Sequence, residues 1–379
     1  MSAPLTLIQS APPPAILDLS PEEFRAWLTA RGEPPMRAKQ IRRWILQGRA
    51  TSFEQMSDLP KALRAELANA FSVFGSTIDK HLASRDDTHK LLVRLADGKR
   101  IECVLIQDDG RATACISTQV GCGMGCVFCA SGLNGVERNL TVGEILEQLV
   151  LLRNLTVDPN GPPQFGQTGP LATRLTHIVV MGMGEPLANL DNLLAALAIA
   201  GAKDGLDIGA RHITISTVGL PAKIERLAES GKQYHLAVSL HAPNDELRSR
   251  IVPTNDKTGI PAILAASDAF YAKTGRQVTF EYVVLGGLND QPVHARQLAM
   301  LLKGRKAHVN LIPWNDVEGL PYRRPRDEDL NGLIDELKRS GTSVKVRKRK
   351  GSEIDAACGQ LRRKAEERTL ASDPVEPVS

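Results

Sequence analysis

Three thiols stand at fixed offsets in the stretch from Gly121 to Cys129, with Cys122, Cys126 and Cys129 at i, i+4 and i+7. Soft thiolates this close together hold either zinc or an iron–sulfur cluster, unless the group is an inert set of thiols. Structural zinc usually takes four ligands, commonly as two paired knuckles, and no second CxxC or HxxxH occurs in the chain. Three protein ligands leave one metal position open, which chemistry needs and scaffolding does not. A further thiol, Cys358, lies in a small-residue loop directly after the basic run Lys345, Arg347, Lys348, Arg349 and Lys350. Nearby cations would lower its pKa and make it a nucleophile; otherwise it is a bystander.

Polar turns gather near the same chemistry. Gly182, Gly184 and Glu185 form a turn whose glycines permit close backbone approach and whose carboxylate could receive an ammonium group, although a tight turn alone would read the same. Ser216 and Thr217, then Ser239, Leu240 and His241, then Pro313, Trp314 and Asn315, follow other apolar runs. A lone histidine is usually structural, but four polar turns at one sheet edge make a binding site.

The elements that position these residues follow from pattern. Ser20 to Glu23 is a capping box with proline at the first helical position, opening a helix through Ala30. Helices over Pro35–Gln47 and Lys61–Phe71 complete a small helical unit. The basic residues Arg37, Lys39, Arg42 and Arg43 form either a solvated face or an RNA contact. Residues 90–107 alternate around Asp97-Gly98, a hairpin signal, which makes Glu102 a solvent-facing acid and Cys103 an ordinary buried thiol. Beyond Arg111 six strand-like segments (113–118, 176–181, 212–217, 235–240, 278–284 and 309–312) alternate with helices starting near Thr141, Asn192, Pro221, Asn244, Ile260 and Pro292. The fold class is α/β, with a parallel sheet that is open or curved into a partial barrel and ligands at the strands' carboxyl ends. The alternation of charges over 345–350 predicts an exposed strand or extended tail suited to phosphate contact or to edge protection.

The domain boundaries expected are 1–85 (helical accessory), 86–110 (hairpin), 111–350 (barrel) and 351–379 (thiol loop and tail). Residues 1–15 and 370–379 read as disordered ends, and Asn154 to Gln167 as a Gly/Pro-rich insertion. Net charge is only +4, so any nucleic-acid role must rest on local patches. The N-terminus lacks a basic n-region, and no apolar run of about 18 residues exists, so a soluble, cytoplasmic protein is expected.

The CxxxCxxC loop with an aromatic residue before its third cysteine, followed by GMGEP, resembles the radical S-adenosylmethionine (SAM) superfamily. From about Leu17 to Thr369 the chain is similar to the bacterial 23S rRNA adenine-C2 methyltransferases, the RlmN family. That likeness is carried by Ile101-Glu102, 111–115, 119–122, 181–186, 239–245, 311–315 and 354–360. It implies a partial (β/α)6 barrel with an N-terminal helical domain and a hairpin extension. It makes Cys122, Cys126 and Cys129 the ligands of a 4Fe–4S cluster. Gly184, Glu185, Ser216, Ser239, Leu240, His241 and Asn315 become SAM contacts. Cys358 becomes the thiol that is methylated, Cys115 its disulfide-forming partner, and Glu102 the proton acceptor. The partners implied are 23S rRNA, tRNA near the anticodon, and a reductant such as flavodoxin.

The chemistry makes that economy intelligible. Carbon 2 of adenine is an electron-poor amidine carbon and cannot attack the methyl of SAM, whereas a thiolate can. Radical removal of hydrogen from the resulting methylthioether gives a carbon that adds to the ring. A base then removes the ring proton, and a second thiol frees the product; sequence leaves open whether Cys115 or Glu102 is that base. Two rivals remain: a Cfr-type enzyme acting on carbon 8, and a non-catalytic RNA-binding protein with a metal-stabilised loop.

Overall fold

The structure, a computed structural model of the chain, describes residues 13–108, 110–156 and 174–361. The expectations for residues 1–12, 157–167 and 370–379 fall outside the described residues. Helix α1 (Pro21–Thr29) begins on the capping box, with Ser20 Oγ accepting from the Glu23 N–H at 3.1 Å and the Glu23 carboxylate from the Ser20 N–H at 2.8 Å. Helix α2 (Met36–Leu46) buries Ile41 and Ile45, and α3 (Lys61–Ala70) buries Leu63 and Leu67. These side chains are continuous with the core of the sheet that follows.

Strands β1 (Thr77–Ala83), β2 (Thr88–Arg94), β3 (Arg100–Asp108) and β4 (Arg111–Cys115) are antiparallel neighbours. The Asp97-Gly98 turn joins β2 to β3, with Gly98 at a φ of +81°. A two-stranded hairpin, β5 (Gln119–Gly121) and β6 (Val136–Asn139), brackets the thiol loop and leads into α4 (Val142–Asn154). Thr141 caps α4 as its sequence predicts, accepting from the Glu144 N–H.

The parallel cadence then runs β7 (His177–Val180), α5 (Leu190–Gly201), β8 (Ile213–Thr217), α6 (Pro221–Glu229), β9 (His235–Ser239), α7 (Asp245–Ile251) and α8 (Ile260–Thr274). It continues through β10 (Val278–Val284), α9 (Pro292–Leu302), β11 (Ala307–Pro313), α10 (Asp327–Arg339) and β12 (Val344–Val346). The ten-stranded sheet has the order β1-β2-β3-β4-β7-β8-β9-β10-β11-β12, parallel from β4 onward. The fold class is α/β, as the sequence predicts. Six parallel strands with their helices form an open barrel, the hairpin extends one edge, and short β12 extends the other.

One expectation is corrected, and of the two readings of the basic run the edge strand holds over its start. Glu102 is not solvent-facing: it is 4% exposed, and its carboxylate lies 2.9 Å from the ammonium of Lys90, itself buried. The reason is that the loop after β12 lies over this face of the hairpin, where the Lys90 ammonium donates to the Asp355 carbonyl and Gly351 packs on Thr88. Nor is the start of the basic run a free tail. Val344 to Val346 pair with β11, and the Arg347 N–H donates to the Leu311 carbonyl at 2.9 Å, which turns the Arg347 side chain inward.

Candidate active site

The carboxyl ends of the parallel strands enclose a cavity lined by both apolar and polar side chains. Cys122, Cys126 and Cys129 line one wall. The loop can turn there because Gly121 sits at a φ of +79°, where a Cβ would come within 2.0 Å of the Gly135 carbonyl oxygen. Burial pushes the thiols upward, Cys122 to about 11, and their neighbouring sulfurs add to the effect. Opposing this, backbone N–H groups of Met124 and Gly184 reach the Cys122 sulfur, and those of Ser131 and Gly132 reach that of Cys129. Donors aimed at sulfur favour the thiolate and are what a cluster ligand needs. Among the described residues no three metal-ligating side chains close on a single-ion position. The three thiols lie together in one wall of the cavity.

The turns expected at the strand ends face this wall. Gly184, Glu185, Ser216, Ser239, His241 and Asn315 all line the cavity. Gly184 has a φ of +104° and packs on Gln119, where a Cβ would come within 2.7 Å. Glu185 is buried, and its two carboxylate oxygens accept from the Leu187 and Val218 N–H groups at 3.0 and 2.8 Å. It is therefore both a structural clasp and a cavity anion. Burial pushes its pKa up against those hydrogen bonds. Leu240 is buried and absent from the lining; its N–H donates to the Glu281 carbonyl and its carbonyl accepts from Arg248.

His241 adopts a φ of +62°, a strained backbone for a residue other than glycine. Its Nδ1 accepts from the Val283 N–H at 3.1 Å, which leaves Nε2 as the protonated nitrogen. Burial and the Arg248 guanidinium push the imidazole down to about 3, so it is a neutral donor. Asn315 donates from Nδ2 to the Cys358 carbonyl at 3.1 Å and leaves its buried Oδ1 without a partner.

The loop carrying Cys358 is stitched to the thiol loop. The Ala130 N–H donates to the Gly359 carbonyl at 2.8 Å, and Ser131 Oγ to the Leu361 carbonyl at 2.8 Å. Cys358 lines the cavity; Cys115 is buried on β4 outside its lining, and Met181's backbone reaches its sulfur. Burial and the Cys358 sulfur push the Cys115 thiol up to about 12, offset in part by Arg347. All six cysteines are free thiols. Glu102 lies outside the cavity lining, but it is two residues along β3 from Val104, the partner of Cys115, and so shares that thiol's sheet face. Its partner Lys90 also donates to the Asp355 carbonyl at 3.0 Å, which ties the Cys358 loop to the hairpin.

Three contributors escape a reading of the sequence. Arg347 faces the cavity among Cys358, Glu281 and Cys115, with Nη1 at 3.3 Å from the Met181 sulfur. Glu281, an acid in an apolar strand, is buried there with Oε2 unpartnered. Arg248 is 1% exposed and binds the Val218, Ser239 and Leu240 carbonyls, gathering the ends of β8 and β9. An isolated charge inside an otherwise apolar strand is the only signal for Glu281, and Arg248 has none.

Comparison with known proteins agrees with this arrangement. The family model for the ribosomal RNA large subunit methyltransferase N-terminal domain matches residues 15–73, and that for the radical SAM superfamily matches 169–299. A protein of Rhodopirellula baltica named "Probable dual-specificity RNA methyltransferase RlmN" is 54% identical over 92% of this chain and 90% of its own length. A Geobacillus kaustophilus protein of the same name is 44% identical over 94% of each chain. A radical SAM methyltransferase from Sphaerobacter thermophilus superposes with a TM-score of 0.86 at 42% identity, over 92% of this chain and 99% of that one. The chain belongs to the RlmN family of radical SAM RNA methyltransferases.

Proposed function

We propose that the chain methylates carbon 2 of an adenosine in 23S rRNA, and of an adenosine near the tRNA anticodon, through a methylated Cys358. The observation that carries this reading is the meeting of two free thiols, Cys115 and Cys358, with Arg347 beside a cavity walled by three more thiols. Cys122, Cys126 and Cys129 hold a 4Fe–4S cluster, and Gly184, Glu185, Ser216, Ser239, His241 and Asn315 hold SAM. When bound, cluster and SAM supply a methyl group and a radical able to remove hydrogen from carbon.

Cys358 provides the nucleophile that the ring carbon lacks: its sulfur bonds to the methyl carbon of SAM as the bond from that carbon to the sulfonium breaks, S-adenosylhomocysteine leaves, and the methyl is carried as a thioether. Arg347 lines the cavity beside Cys358, and Asn315 fixes the loop through the Cys358 carbonyl. Glu102, on the sheet face of Cys115, is the proton acceptor. Cys115 then attacks the Cys358 sulfur to form a disulfide; the bond from that sulfur to the methylene breaks, the methylene carbon takes up a proton to become the product's methyl, and the one electron in excess would return to the bound cluster. Residues 1–85 act as an RNA-binding accessory domain, and a cytoplasmic flavodoxin is the reductant. Among the described residues no helix is long and apolar enough to cross a membrane.

The test is nucleoside analysis of 23S rRNA and tRNA from a deletion strain complemented with this chain. The expected product is 2-methyladenosine; 8-methyladenosine, or no methylation, would overturn the reading.

A further inference from the structure

A second cavity opens beside the first, and the two share Ile312, Asn315, Arg347 and Cys358 in their walls. Its lining is basic, with Arg111, Arg324, Lys345, Lys348, Arg349 and Lys350. It also includes Thr113, Val179 and Asn310, which identify it with the inner face of the open barrel.

The strand register extends that face away from Cys358. His177 pairs with Thr113 and is two residues before Val179, so its side chain shares their side of the sheet. His212 is in line with His177, since Ile178 pairs with Ile213. His235 pairs with Thr214, which pairs with Val179. His308 is two residues before Asn310 on β11. Four of the chain's eight histidines therefore line the amino-terminal part of one trough. They share one side of the sheet, and His177 and His212 touch edge to face. The rings of His177 and His212 lie 4.8 Å apart, with their nitrogens at 3.1 Å, and Arg276 lies 3.0 Å from His235 Nδ1. His212 is exposed and the other three are half-buried.

We infer that this imidazole row is a stacking platform for unpaired bases of the RNA, next to the nucleotide presented to Cys358. The inference rests on the RNA methyltransferase reading. Aromatic residues make up only 4% of the chain, and among the described residues no Phe, Tyr or Trp lines this second cavity, so the basic strip alone offers phosphate contacts without base contacts. Single-stranded RNA is held by both kinds of contact, with bases lying on flat side chains that include histidine. Burial and neighbouring guanidinium groups lower the pKa of His177 and His235. These rings are thus neutral at pH 7 and offer faces rather than charge. From His177 to Met181 the strand rises about 13 Å, so the row lies within a short nucleotide path of the thiols.

The two contact types respond differently to salt, and that separates them. The full-length wild-type protein and the His177→Ala/His212→Ala variant are titrated with a fluorescent RNA hairpin carrying an unpaired adenosine-rich loop, across a range of potassium chloride. The expected result is about tenfold weaker binding at every salt concentration, with the slope of log affinity against log salt unchanged. Affinity for a fully paired RNA duplex should not move. His212→Phe, which keeps a flat face at an exposed position, should bind the hairpin as wild type does, whereas His212→Ala should not. Unchanged hairpin affinity in the double variant, a flattened slope, or failure of His212→Phe to rescue would overturn the platform. Absence of hairpin binding by the wild-type protein would instead overturn the RNA reading on which the inference stands.

Discussion

Lys90 Nζ lies 2.9 Å from Glu102 Oε1, and both side chains are only 6% exposed. The same ammonium donates to the Asp355 carbonyl, so one buried cation joins the hairpin acid to the loop that carries Cys358. Removing one member of a buried pair leaves the other charge uncompensated, at a cost of about 3–5 kcal/mol. Lys90→Met should therefore lower the urea midpoint strongly, while Lys90→Met/Glu102→Leu should recover much of the loss. A Lys90→Met protein as stable as wild type would show that the pair contributes nothing net. The single variant should also make Cys358 more accessible to thiol reagents, since it frees the Asp355 tie.

Arg347 and its two successors have separate jobs. Lys348 and Arg349 are exposed, whereas Arg347 faces Cys358, Glu281 and Cys115. Lys348→Ala/Arg349→Ala should flatten the salt dependence of RNA binding by about 0.7 for each phosphate that is no longer neutralised. Arg347→Met should leave that slope alone and slow methyl uptake by Cys358 on the order of a hundredfold. Methyl uptake is read by intact-protein mass. A slope change in Arg347→Met, with normal uptake, would return this residue to the phosphate strip.

His241 makes stability depend on acid. Its imidazole falls from the ordinary 6.5 to about 3 in the folded chain, so between these values the unfolded state binds more protons. The stabilisation is fully present above pH 6.5 and is lost as pH falls toward 3, in total on the order of 5 kcal/mol. His241→Asn tolerates the left-handed backbone and cannot titrate, so its urea midpoint should fall less steeply between about pH 6 and pH 4. Parallel slopes for wild type and variant would mean that His241 is not held neutral.

Local signals are legible in the sequence, whereas pairings across the sheet are not. The capping boxes at Ser20 and Thr141, the Asp97-Gly98 turn and the glycines of the thiol loop depend on neighbours within a few residues, and each forms as its pattern predicts. Glu102 and Arg347 depart from expectation because their surroundings come from segments far away in sequence. Burial of Glu102 needs the loop after β12 laid over the hairpin, and the inward turn of Arg347 needs β12 beside β11. Helix α10 is a different case. Its first-turn acids Asp327, Glu328 and Asp329 and its last-turn Lys338 and Arg339 match the helix dipole, so a local signal for it does exist in the sequence.

Glu185 should fail in two stages. Its carboxylate accepts from the Leu187 and Val218 N–H groups, so it holds the GMGEP turn against the end of β8 as well as facing the cavity. Glu185→Gln can keep one of these bonds, because an amide has one acceptor oxygen. It should weaken SAM binding, measured calorimetrically on the reconstituted protein, by about tenfold or more, since an amide cannot make the charge-assisted hydrogen bond. Glu185→Ala should also lower thermal stability. Unaltered SAM affinity in Glu185→Gln would leave the carboxylate as a clasp only.

Cys115 and Cys358 should fail differently. Cys358 lines the cavity on a loop fixed by Asn315 and Ala130, whereas Cys115 is buried on β4. Without Cys358 no methyl is carried on the protein, so neither product nor a covalent RNA adduct should form. Without Cys115 the methyl is still taken up and joined to the ring, but no thiol remains to close the disulfide and release it. Cys115→Ala should therefore accumulate RNA linked through Cys358, seen as a nuclease-sensitive mass shift on a denaturing gel under reducing, SAM-replete conditions. The double variant should show no shift, which ties the adduct to Cys358 rather than to another thiol. Bystander cysteines would leave both single variants active, and a structural pair would destabilise both alike. Free RNA from Cys115→Ala in a protein that still cleaves SAM would sink the two-thiol release, because the bond to Cys358 would then break without its partner.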